Sequence, residues 1–329
     1  MWKFYLIGGS LITFFWLLLP QIAYLVVALV GRVAGYHVSW RPWMLTSLVV
    51  VALWWMAYAW GHYVGRFRYE VKEMRYVSES LPDAYDGYRI VHISDLHLDG
   101  WRGHASELWH IVDTINGLRP DLICFTGDLV SMNYREASTL KPILQNLTAT
   151  DGVVSILGNH DYDPYERGIS DRERQANVDS LVRMERDELG WTLLLNEHRI
   201  LQRDGERMAV VGVENQSCGA HQVIRRGRLA EAMAGTDGLF RILLSHDPSH
   251  WRAEVANKVD IPLTLSGHTH AMQFRIGGFT PSRWIYPECD GRYDEEGQTL
   301  YVNIGLGGTM PMRIGATPEI TLITLRRNP

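Results

Sequence analysis

Arg89-Ile90-Val91-His92-Ile93-Ser94-Asp95-Leu96-His97 is a short β-rich apolar run that ends on a hydroxyl, a carboxylate and an imidazole. Its β-branched core suits a buried strand, which puts the polar residues at the strand's carboxyl end. Beyond it, Leu108, Ile111, Val112, Ile115 and Leu118 recur at helical spacing behind Ser106, a candidate N-cap, with Pro120 just past the end. A second apolar run, 122–126, then ends on Gly127-Asp128. Strand, helix and strand in this order form a βαβ unit and place the chain in the α/β class.

The pattern continues. Runs 153–157, 208–213, 241–244, 263–266, 300–304 and 320–325 are short and apolar, and alternation over 67–77 predicts a strand ahead of them all. Helical intervals are expected near 136–146 and 177–189. Gly158-Asn159-His160-Asp161 follows the third run, Ser245-His246-Asp247 a later one, and Gly267-His268-Thr269-His270 the next. Loops beyond the carboxyl ends of strands form the ligand crevice of open α/β sheets, so these clusters can converge. One Gly-Asp or one such histidine reads as a turn or a structural residue; five clusters in order read as a constellation. The glycines before Asp128, Asn159 and His268 fit a backbone that must turn sharply to aim the next side chain. Imidazoles and carboxylates without thiolates suit Mn, Fe, Zn or Co and disfavour a structural zinc site.

The ordered set D-x-H, G-D, G-N-H-D, a single His and G-H-x-H, over about 88–325, resembles the calcineurin-like metallophosphoesterases. Asn303-Ile304-Gly305-Leu306-Gly307 and Pro318-Glu319-Ile320 also look like the membrane-associated bacterial branch, which includes phosphodiesterases of lipid-linked substrates. The resemblance implies a four-layer α-β-β-α sandwich, two mixed sheets flanked by helices. It assigns Asp95, His97 and His270 to one divalent ion, Asn159, His246 and His268 to a second, and Asp128 as the bridge. It implies that a metal-activated water attacks phosphorus, with His160 stabilising the transition state or protonating the leaving oxygen. Asp161, next in the chain, is placed by the sequence to orient or charge-stabilise the His160 imidazole. The function implied is hydrolysis of a phosphodiester or pyrophosphate on a lipid-linked or membrane-proximal substrate. A soluble nucleotide or phosphomonoester is the alternative substrate; a scaffold that had lost turnover would lack ligands or His160, and this chain lacks neither.

The first 65 residues differ in composition from the rest. From residue 4 to 30 the polar side chains are few, Ser10, Thr13, Gln21 and tyrosine hydroxyls such as that of Tyr24, a run long enough to span a bilayer with Pro20 inside it. A second run, 44–63, gathers Trp54, Trp55, Tyr58, Trp60 and Tyr63 toward its end, where such rings favour the interface. The first run is too long for a signal-peptide core and is followed by a second span, and no amphipathic period marks either as a buried core helix. The expected division is a membrane anchor over 1–65, a linker with the possible first strand over 66–86, and a catalytic domain over 87–329. Lys3 and Arg66, Arg68, Lys72 and Arg75 outside the hairpin, against Arg32 and Arg41 within it, favour a multi-pass protein of the bacterial inner membrane with its catalytic domain in the cytoplasm.

A net charge of −5 argues against nucleic-acid binding through a basic surface, and the cluster Arg225, Arg226 and Arg228 reads as a solvated turn. Cys124, Cys218 and Cys289 suggest no disulfide framework. His92, His104, His110, His221 and His250 match no element of the constellation and read as structural or surface residues. Ser245-His246-Asp247 is no catalytic triad, whose members come from separate segments. Gly305 to Gly308 reads as a turn, and the stretches 161–177 and 281–298 are long enough to shape a pocket.

Overall fold

The structure is a computed structural model and describes the backbone of residues 2–218 and 224–328, with side chains from Gly9 onward. His221 therefore lies outside the described residues. The chain divides into two compact units, Met1–Val64 and Gly65–Pro329.

The first unit is a hairpin of α1 (Trp2–Val33) and α2 (Arg41–Trp60). Gln21 donates to the Ser47 hydroxyl at 2.9 Å, Ser47 donates to the Leu17 carbonyl at 3.0 Å, and Trp55 donates to Thr13 at 3.1 Å. These pairs make the helices antiparallel. They also turn Thr13, Gln21 and Ser47 toward the partner helix, where small and polar groups bind apolar helices together. Phe14, Leu25, Leu29, Leu45 and Met56 point outward and are exposed. Gly9–Val33 and Arg41–Gly65 are long and apolar enough to cross a bilayer.

The second unit opens with β1 (Glu70–Ser78), β2 (Arg89–Ile93), α3 (Ala105–Gly117) and β3 (Leu122–Phe125). A one-turn α4 (Lys141–Leu144), β4 (Val153–Ser155), α5 (Asp171–Arg183), β5 (Thr192–Leu193), β6 (Glu197–Arg203) and β7 (Glu206–Gly212) follow. The remainder is α6 (Leu229–Met233), β8 (Phe240–Leu244), β9 (Leu263–Ser266), β10 (Gly291–Glu295), β11 (Gln298–Val302) and β12 (Glu319–Arg327). Two six-stranded sheets result, in the orders β1-β12-β2-β3-β4-β5 and β10-β11-β9-β8-β7-β6. β2 to β5 run parallel, as do β7, β8, β9 and β11; β12 runs parallel to β1 and against β2, and β6 and β10 run against their neighbours, so both sheets are mixed.

Successive side chains of a strand face opposite ways, and here both faces are apolar. Ile90, Leu122, Cys124 and Val154 pack between the sheets against Met208, Val210, Ile242 and Leu265. Val91, Ile93, Ile123 and Phe125 face outward onto Leu108, Ile111, Val112 and Leu181 of the helices. Ala209, Val211, Leu243 and Val302 cover the outer face of the second sheet with Trp251, Leu229 and Ala232. The expected α-β-β-α sandwich is therefore present.

Local expectations needed adjustment. The N-cap of α3 is His104, not Ser106, whose hydroxyl bonds Glu107 inside the first turn. The interval 136–146 holds only a 3-10 turn and α4, because Lys141-Pro142 restarts the chain there. α5 begins at Asp171, earlier than expected, behind a capping box between Ser170 and Glu173. β5, β6 and β10 have no counterpart among the expected strands: one has two residues, and the other two are edges whose outward side chains are polar.

One buried acid on this scaffold gives a pH test. The Ser155 hydroxyl donates to Glu185 Oε2 at 2.6 Å, Oε1 has no partner, and burial pushes the carboxyl well above the usual carboxylate range. An acid whose folded pKa is raised contributes its stability below its unfolded pKa and loses it as pH rises toward the folded value. Glu185→Gln has no proton to lose, so its stability relative to wild type should rise by about 1–2 kcal/mol from about pH 5 to about pH 8. Thermal denaturation at both pH values measures this; a difference that stays constant removes the argument.

Candidate metal centre

Every cluster singled out in the sequence reaches one place, the edge where the carboxyl ends of β2, β3 and β4 meet those of β8 and β9. The loops are laced by backbone hydrogen bonds, Asp95 N–H to the Gly127 carbonyl at 2.9 Å and Gly267 N–H to the His246 carbonyl at 2.9 Å. The sheets are joined across the edge by His246 Nδ1 against the Thr126 carbonyl at 2.7 Å and by His268 N–H donating to Asp95 Oδ2 at 3.0 Å.

The sharp turning expected of the glycines falls largely on the candidate ligands themselves. Asp95, His97, Asp128, His268 and His270 all have positive φ, between 46° and 74°. Such backbone costs about 1–3 kcal/mol per residue and persists only where the surroundings over-determine it. Among the preceding glycines only Gly127 has a left-handed φ, at 93°. Gly158 and Gly267 are needed for close approach instead: a Cβ would lie 2.2 Å from Asp128 Oδ1 at the first and 1.8 Å from Ser94 Oγ at the second.

Two groups of donor atoms share one carboxylate. In one, His97 Nε2 and His270 Nε2 are 3.3 Å apart, and Asp95 Oδ1 is 3.4 Å from His270 Nε2. In the other, Asn159 Oδ1 is 2.7 Å from His268 Nδ1 and 3.2 Å from His246 Nε2, and that imidazole is 3.2 Å from Asp128 Oδ2. Asp128 Oδ2 also lies 3.5 Å from His97 Nε2. Asp95, His97 and His270, and likewise Asp128, His246 and His268, each bring their ligand atoms within 4.8 Å of one another.

Those atoms fit cations rather than each other. Asp128 Oδ2 is buried and, among the described residues, has no hydrogen-bond donor. With Nδ1–H of His246 donating to Thr126, a neutral ring turns the lone pair of Nε2 onto the Asp128 and Asn159 oxygens. Acceptors crowded in this way are relieved by a proton or by a metal ion. Burial works against charge throughout, pushing His97 down to about 3 and His270 well below the imidazole range. Burial also lifts Asp95 to about 6, although the His246 charge opposes it. For Asp128 burial would raise the carboxyl, but the facing imidazoles of His246 and His160 hold it well below the usual range. His246 is the exception: burial opposes its charge, but the facing Asp128 carboxylate raises it to about 10, so a metal ion bound there would take the place of that proton. The neutral imidazoles of His97 and His270 beside buried carboxylates are the state in which such ligands bind a divalent metal.

His160 and Asp161 do different work from each other. His160 N–H donates to Asp128 Oδ1 at 2.8 Å, and its Nδ1 is 2.8 Å from the Ser131 carbonyl. The ring lies edge-on to His97, with centroids 4.8 Å apart, and packs on Tyr165 at 4.4 Å. Asp161 was expected to orient this imidazole, and its carboxylate bonds elsewhere. Oδ2 accepts from Asp128 N–H at 2.7 Å and Gly158 N–H at 2.8 Å, and Oδ1 from Val130 N–H at 3.1 Å. Backbone amides in the turn after β3 point at it, and the Ser131 carbonyl takes the role it was assigned. Asp161 is thus a brace between the loops that follow β3 and β4.

Other contributors gave little sequence signal. Tyr286 Oη is 2.7 Å from His268 Nε2, and Tyr165 Oη accepts from Asn159 Nδ2 at 2.9 Å. They come from the two stretches expected to shape the pocket. Arg313 is buried and donates to the carbonyls of Ile304, Gly305, Gly307 and Ala316. It pins the turn whose Leu306 and Gly307 amides bond the Ser94 and Asp95 carbonyls at 3.0 and 2.7 Å. The glycine-rich turn therefore underlies the centre. His92 bonds Thr126 at 2.9 Å, His250 bonds Ser245 at 2.8 Å, His104 packs on Phe67, and His110 is exposed on α3. These four are structural or surface residues.

The family pattern described as calcineurin-like phosphoesterase matches residues 88–272. The chain belongs to that family. This calcineurin-like phosphoesterase is 31% identical to a Bacillus subtilis metallophosphoesterase, YkuE, over 82% of this chain and 90% of the relative. A Danio rerio protein named a transmembrane protein with metallophosphoesterase domain is 30% identical over 76% of this chain and 55% of its own. LpxG of Chlamydia trachomatis, named a UDP-2,3-diacylglucosamine pyrophosphatase, is 30% identical over 72% of this chain and 83% of its own. The phosphoesterase is accordingly a phosphoric ester hydrolase of a family that uses divalent metals.

Proposed function

We propose that the protein hydrolyses a phosphodiester or pyrophosphate bond of a lipid-linked or membrane-proximal substrate with two divalent ions, of Mn, Fe or Zn type. The observation that carries the reading is the pair of donor groups meeting at Asp128 Oδ2, a buried oxygen with no hydrogen-bond donor. Asp95, His97 and His270 would hold one ion and Asn159, His246 and His268 the other, with Asp128 between them. Bound there, the pair lowers the pKa of water and neutralises charge on the phosphoryl oxygens. Asn159 adds a neutral carbonyl, which limits the negative charge facing an anionic substrate. His160, anchored through Nδ1 to Ser131, keeps Nε2 to carry a proton to the leaving oxygen. Asp161 holds the Asp128 and Gly158 amides in place.

The lipid part is supported by the two apolar helices and by the likeness to LpxG. We take the chain as multi-pass in the bacterial cell membrane with the catalytic unit in the cytoplasm. The basic excess behind that orientation reduces to Lys3, Arg66 and Arg68, since Lys72 and Arg75 belong to β1, where Lys72 pairs with Glu319. Full-length enzyme in inverted and right-side-out membrane vesicles, given manganese and bis-p-nitrophenyl phosphate or p-nitrophenyl phosphate, tests these points together. Diester turnover from inverted vesicles alone is expected, and a lipid extract should lose one phosphate-containing species. Preference for the monoester would move the reading to a phosphomonoesterase. Turnover only from right-side-out vesicles would reverse the orientation.

A further inference from the structure

The catalytic unit exposes a cluster of large apolar side chains beside the centre. A tight hairpin pairs Ile276 with Phe279 through reciprocal 3.0 Å backbone hydrogen bonds, with Gly277 and Gly278 at positive φ between them. Phe279 packs on Trp284, ring centroids 5.4 Å apart. Ile276 is 62% exposed and Trp284 79%, and Ile285 and Met310 also project into solvent. The cluster is built firmly onto the centre: Thr280 donates to the Ala271 carbonyl beside His270, Tyr286 reaches His268, and the Met310 amide bonds Gln273 at 2.8 Å. In residues 274–287 there are two arginines and no acid, in a chain whose net charge is −5. Arg275 is paired with Asp290, and Arg283 lies at the exposed rim.

The entry of the chain into this unit lies at the same edge. β1 starts at Glu70, bonded to the Pro318 carbonyl, and pairs there with Glu319. The Glu319 amide bonds Gly305, where a Cβ would be 2.7 Å from Asp95 Cβ. Phe67, ahead of the strand, packs on Trp101, just after His97, with centroids 5.7 Å apart. The stretch next to the apolar helices in sequence thus arrives at the ligand-bearing edge, and not at the far end of β1.

We infer that this edge of the catalytic unit is a bilayer-docking surface, in which Ile276, Phe279, Trp284, Ile285 and Met310 enter the interface of an anionic membrane and Arg283 meets lipid phosphate. A projecting tryptophan with apolar neighbours and a basic, acid-free rim has the composition of interfacial segments. Docked in this way, the centre lies at headgroup level, where the scissile phosphate of a lipid-linked ester sits. The inference rests on the lipid-proximal reading proposed above.

Spin labels on full-length protein in nanodiscs of phosphatidylglycerol and phosphatidylethanolamine test it, in a Cys218→Ser background with Trp284→Cys or Ser80→Cys. Ser80 is exposed beyond the far end of β1, about 30 Å along the nine-residue strand from Glu70. The label at 284 should collide several-fold more with oxygen, which partitions into lipid, than with a water-soluble nickel chelate, and the label at 80 should do the reverse. Equal preference for the nickel chelate at both positions overturns the inference. The double variant Phe279→Ser, Trp284→Ser should keep bis-p-nitrophenyl phosphate turnover within about twofold and lose about tenfold on the bilayer substrate. Equal loss on both substrates would make these residues supports of the site and overturn the docking role. A lipid-exposed label at 284 in an enzyme that cleaves no lipid phosphate would sink the substrate reading and leave the surface standing.

Discussion

Asp128→Asn should lose at least about a thousandfold in kcat/KM, together with bound metal, while keeping its fold. Its two carboxylate oxygens have separate duties. Oδ1 accepts the His160 amide, and Oδ2 lies between His97 and His246 without a donor. Asparagine fills the same volume but can serve only one of these with an oxygen. If its carbonyl keeps the His160 amide, its NH2 is driven between the two imidazoles where a cation should sit. If it turns over, NH2 opposes N–H. In both orientations a unit of negative charge shared by the two groups is gone. The fold should survive, since the Asp128 backbone remains tied to Asp161 through its own N–H. Metal analysis of purified protein should fall from two ions per chain to one or fewer, with an unchanged circular dichroism spectrum. Two retained ions with activity within tenfold of wild type would remove Asp128 from the role of bridge.

His160→Ala should lower turnover by about 10²–10⁴ and leave metal content near wild type, the range expected when a positioned proton carrier is removed. The residue is fixed on three sides, by its backbone N–H on Asp128, by Ser131 against the ring Nδ1 and by the Tyr165 ring. Alanine keeps the first of these contacts, so the Asp128 geometry is retained. A second grouping gives the experiment its edge, since His97, Asp128 and His160 also bring ligand atoms within 4.8 Å of one another. Loss of an ion on substitution would make His160 a ligand. Retained ions, lower kcat and little change in KM would make it the proton carrier, and bis-p-nitrophenyl phosphate, whose p-nitrophenolate leaving group needs little protonation, should blunt the defect.

Much of this architecture was readable along the chain because it is locally encoded. A buried strand needs only a few apolar β-branched residues, and the polar residue that ends it must lie at the sheet edge, so Asp95, Asp128, Asn159, His246 and His268 could be placed without knowing the strand order. Edge elements were less legible. β6 and β10 alternate with polar residues, and β1 finds its partner in β12, almost the whole chain away. Asp161 shows the limit most clearly. Its neighbour in sequence is His160, but its carboxylate bonds amides of residues 128 and 130, brought near by β-sheet pairing.

By itself the sequence determined the α/β class and the two apolar helices, because spacing and side-chain type carry these, and its ordered clusters of acids, amides and histidines carried the family resemblance from which the hydrolytic chemistry follows. Only the tertiary structure decided that Asp128 Oδ2 stands between two imidazoles, that Asp161 braces loops, that Arg313 holds the turn beneath Asp95, and that an apolar tip shares the edge with the centre. These depend on which carbonyls, amides and side chains converge when two sheets pack face to face, and no local pattern encodes a contact between residues that only packing makes neighbours.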